Sequence, residues 1–88
     1  MNEQQKQTID RLKDSIEISL KIGDLIAHQR YEIKLIRAYV EISNYIIDLL
    51  DSCQEVKNLF PEVYSSCKNV IKEYEEYDQD RKEFLSLN

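Results

Sequence analysis

His28 is the one imidazole in the sequence, and in a helical phosphotransfer protein it would carry the phosphate. A phosphohistidine needs room, and the segment His28-Gln-Arg-Tyr-Glu-Ile-Lys34 supplies no glycine or other small residue beside it, so His28 reads as a surface or turn residue. A diiron bundle would require Glu-x-x-His, and position 25 is leucine. Cys53 and Cys67 form neither a Cys-x-x-Cys redox pair nor half of a zinc site, because no third cysteine follows and His28 lies far along the chain. They read as two small core residues facing one another. Serine, histidine and acid are all present, but no spacing ties them into a triad, and a single glycine leaves no phosphate-cradling loop. No catalytic, cofactor-binding or metal-binding residue is assigned, and a non-enzymatic protein is expected.

Two further groups could contact a partner. Arg30, Lys34 and Arg37 share a helical face, which neighbouring Glu32 and Glu41 explain as solvated surface. Tyr74 and Tyr77 flank Glu75 and Glu76 in the most acidic stretch of the chain, and tyrosine is an amphipathic contact residue. Helical phase puts Tyr74 on a core seam and leaves Tyr77 as the better interface candidate. The spacing Tyr74-x-x-x-Asp78 resembles the C-terminal signal of small helical type VII export substrates, although the Trp-x-Gly turn of that family is missing. The helical layout is similar to that of flagellar export chaperones and bacteriocin immunity proteins, with no residue-level motif of either, and no family is assigned.

The elements that must position these residues are helices. Glycine and proline occur once each, at Gly23 and Pro61, too few for turn-rich β architectures, and 88 residues support one core. Ile9, Leu12, Ile16 and Leu20 form one stripe that ends at Gly23-Asp24, which places the first turn near Gly23, within a stretch reaching to Arg30. Pro61 with Glu62 suits the start of the last helix. Between these points Leu35, Tyr39, Ile42, Ile46, Leu49, Cys53, Val56 and Phe60 keep an unbroken heptad step. The expected fold is a single all-α domain over 1–88, an antiparallel three-helix bundle with a long central helix, its helices spanning 3–22, 24–57 and 61–85. A hairpin centred near Phe60 brings Cys53 to Cys67 and Ile46 to Tyr74, and a turn at Gly23 brings Leu12 to Leu35. The first helix is then exhausted by about residue 45. Tyr45, Ile47 and Leu50 are left as an apolar strip, with Tyr77 nearby if the last helix leans towards them, and these four are the expected partner-binding residues.

Charge narrows the partner. Twelve Lys+Arg against seventeen Asp+Glu give a net charge of −5, which disfavours nucleic acid and anionic membranes. The acidity rises towards the C-terminus: residues 1–30 are neutral, 31–60 carry −2 and 61–88 carry −3. The polar N-terminus offers no apolar signal region and no stretch is long enough to span a bilayer, so a cytoplasmic location with reduced thiols is expected. Together these features point to a small protein-binding module of inhibitor, immunity or chaperone type, bacterial or phage-like. A helical homodimer is the alternative reading, and acidic mimicry of DNA, which would want far fewer than twelve basic residues, a remote one.

Overall fold

A computed structural model describes residues 2–86, with side chains described through residue 74. Among the described residues the chain is an all-α bundle of four helices: α1 (Glu3–Ala27), α2 (Ile33–Asp51), α3 (Gln54–Leu59) and α4 (Pro61–Ser86). Asn2 caps α1 in a reciprocal box. Its side chain accepts from the Gln5 N–H at 2.8 Å, and its own N–H donates to Gln5 Oε1 at 3.1 Å.

The first turn corrects the expectation at Gly23. Helix α1 runs through Gly23 and ends at His28, where the Gln29 N–H donates to Ile26 O (2.9 Å) and the Arg30 N–H to Leu25 O (3.4 Å). This is the bond pattern of a Schellman ending, with Gln29 in the left-handed region at φ 65. Glycine is not free for that role, because a Cβ at Gly23 would lie 2.9 Å from Tyr39 Oη. Gly23 is therefore a point of close approach between α1 and α2, not a helix stop.

The expected central helix over 24–57 is likewise divided. Among the described helices α2 is the central element, packed against both α1 and α4, and it ends at Asp51. Ser52 Oγ donates to Leu49 O at 2.7 Å, a local bond that competes with the helical ladder. Cys53 is extended (φ −144, ψ 96) and α3 begins after it, bridged back by a 3.0 Å bond from Lys57 Nζ to Asp51 Oδ1. The heptad residues beyond the break still serve the core: Val56 is buried, and Cys53 and Phe60 pack against the main cluster of Leu12, Ile46, Ile47, Leu50, Val56 and Cys67. Pro61 opens α4 as expected.

These two corrections set the register. A hairpin centred between Ala27 and Ile33 makes residues whose numbers total about 60 face each other, as Gly23 and Tyr39 do. Leu12 consequently sits in one cluster with Ile46 and Leu50, about three to four turns beyond Leu35. On the other side the hairpin is centred between Asp51 and Pro61, since α3 adds no rise along α2. Tyr74 therefore meets Tyr39, their ring centroids 5.7 Å apart, about two turns before Ile46.

Candidate functional site

The corrected register removes the expected apolar strip. Helix α1 covers α2 to its C-terminal end, so Ile47 (5% exposed) and Leu50 (fully buried) are core residues, while Tyr45 stays 43% exposed. The Tyr77 side chain lies outside the described residues. Cys53 and Cys67 are free thiols of the same core region, the first half-buried and the second buried. His28 lies on the exposed turn, its Nδ1 donating to Asp24 O at 2.7 Å, and Arg30, Lys34 and Arg37 are exposed around the start of α2.

A different feature opens between the outer helices. Both α1 and α4 pack on α2, yet among the described residues no Cα of one comes within 8 Å of a Cα of the other, and they meet through the shared core. Helices in close contact have axes about 8–10 Å apart and bring Cα atoms inside that limit, so this pair is splayed. The result is a groove of about 290 Å³ over α2. Tyr39, Ser43 and Ile46 form its floor, Ile16, Ser19 and Leu20 one wall, and Glu62, Val63, Ser66, Cys67 and Val70 the other. Leu20, on the stripe expected to be core, is 69% exposed at the rim.

The floor holds two polar groups of different character. Ser43 is fully buried and its hydroxyl has no hydrogen-bond partner. Cys67 is its polar neighbour: burial pushes the thiol's pKa up, and the contact from Ser43 opposes this more weakly without reaching hydrogen-bond geometry. A thiol held protonated is a poor nucleophile. Burial also raises the Tyr39 phenol, with the nearby Cys67 and Glu73 charges adding to it. Tyr74 is raised by burial first, then by Glu73 and the two phenols Tyr39 and Tyr31. Among the described residues no three His, Cys, Asp or Glu side chains are grouped as metal ligands would be, and no helix is long and apolar enough to cross a membrane. What the groove offers chemically is apolar area with the Glu62 carboxylate in one wall, while the unpartnered Ser43 hydroxyl is sealed beneath the floor.

Sequence reasoning missed Leu20 and Ser43 as site residues. The available signal was the serine at position 43, which interrupts the apolar face of α2 between Tyr39 and Ile46 without a turn to justify it. Comparison of the chain with protein-family models, with curated proteins and with solved structures finds no match.

Proposed function

We propose that the chain is a non-enzymatic protein-binding module that docks one apolar helix face of a partner protein in the groove between α1 and α4. The splaying of the two outer helices over α2 carries this reading, because it leaves a concave apolar surface where one more long helix could pack beside α1, α2 and α4. An inhibitor, an immunity protein or a chaperone could use such a surface. Leu20 is the anchor best placed for it: complete burial of a leucine side chain is worth roughly 1.5–3 kcal/mol, and most of Leu20 is still uncovered.

A designed amphipathic helix with a leucine face, labelled for fluorescence anisotropy, tests the reading. The wild type should bind it and Leu20→Asp should weaken binding by about tenfold or more, with thermal stability nearly unchanged. Equal binding by both proteins refutes the groove as the site. Sedimentation that shows a stable dimer, lost on the same substitution, would instead make the chain its own partner.

A further inference from the structure

We infer that the helix accepted by the groove carries basic residues along its flanks, an inference that rests on the docking reading above. Among its described side chains, through residue 74, the charges of α4 are divided between two edges. Glu62 lines the groove, and Glu73 stands close enough to act electrostatically on both Tyr39 at the floor and Tyr74 beside it. Among the described side chains of the helix, the cations sit on the opposite edge. Lys68 Nζ lies 5.5 Å from the centre of the Tyr64 ring, and Lys72 follows one turn later on that edge. Lys57 adds to this cationic side, 4.1 Å from the same ring and bonded to Asp51.

No lysine or arginine lines the groove among the described residues. On α1, Lys21 is paired with Glu17 at 3.5 Å. Helical spacing leaves Lys13 beside Ile16 at that rim, opposed by Asp24 one turn beyond Leu20. Among the described residues the groove edge is thus acidic on α4 and balanced on α1. A second copy of the chain, itself at −5, would bring like charge to this edge, whereas a helix with lysine or arginine beside its apolar face brings the complement. Such flanking charges set partner choice and association rate more than they set total affinity.

The test uses two labelled peptides with the same leucine face, one flanked by lysine and one by glutamate. The lysine peptide should bind roughly tenfold tighter or better, with the preference falling as salt is raised. The pair Glu62→Gln and Glu73→Gln should abolish most of that preference. The pair Asp10→Asn and Asp14→Asn, which changes net charge equally on the exposed face of α1, should preserve it. Equal affinities for the two peptides, or an equal loss of preference in the control pair, overturns the basic-partner inference while the docking reading stands. Failure of both peptides to bind overturns the docking reading itself.

Discussion

Replacing Gly23 by alanine separates the observed α1–α2 register from the one a turn at Gly23 would give. Gly23 lies inside α1, where alanine is favoured by roughly 0.5–1 kcal/mol on backbone grounds, somewhat less this close to the helix end. Against this, the new Cβ would sit 2.9 Å from Tyr39 Oη, 3.3 Å from Cζ and 3.5 Å from Cε1. The hydroxyl must give way by about half an ångström to reach ordinary contact. Tyr39 is constrained on its other side by the tilted ring of Tyr74, so the displacement acts as local overpacking, for which about 1–3 kcal/mol is typical. Gly23→Ala should therefore be destabilising by roughly 1 kcal/mol in the wild type. In a Tyr39→Phe background the closest atom is gone, and the same substitution should become neutral or stabilising. Urea denaturation followed by circular dichroism measures all four proteins, and the cycle should give a coupling of about 1–2 kcal/mol. Were Gly23 a left-handed helix stop, alanine would destabilise equally in both backgrounds. Zero coupling would thus refute the register and, with it, the placement of the groove.

Leu50→Ala should destabilise by about 2–5 kcal/mol and Ile47→Asp with Leu50→Asp should unfold the chain, both readable as loss of the thermal transition; a folded double aspartate variant would contradict the burial of these residues. The hydrogen bond from Lys57 holds the exposed Asp51 carboxyl below its usual pKa, with Lys57's charge and a bond from Tyr64 acting the same way. Its folded value being depressed, its contribution to stability is present above the unfolded pKa and lost as pH falls through the folded one. Asp51→Asn should therefore flatten the acid side of the stability curve below about pH 4, and an unchanged slope would discount the bridge. Thiol titration with an aromatic disulfide at neutral pH should modify Cys53 well before Cys67, whose thiol is buried and raised in pKa, and equal rates would mean that Cys67 is accessible.

The helical class and the start of α4 at Pro61 were legible in the sequence, because apolar spacing and proline geometry are local signals. The first turn was not, since the chain ends α1 with Gln29 in a conformation for which glycine is the usual choice, and keeps its glycine for contact with Tyr39. Moving that turn by a few residues moved the α1–α2 register by twice as many and carried Ile47 and Leu50 from a supposed surface into the core. The break at Ser52–Cys53 was hidden because Cys53, Val56 and Phe60 continue the heptad pattern while packing from a separate short helix. The groove depends on the distance between α1 and α4, which do not adjoin in sequence, and no periodicity reports that distance.

Where a docked helix lands on the protein tests the groove most directly. Amide and methyl NMR shifts recorded while the leucine-lysine helix is added to the labelled protein measure this residue by residue. The groove predicts that the largest changes fall on Ile16, Leu20, Ser43, Ser66 and Val70, from three helices at once, with Tyr45 and Leu59 unmoved. Changes centred on Tyr45 or Leu59, or spread evenly over the acidic surface, would contradict it.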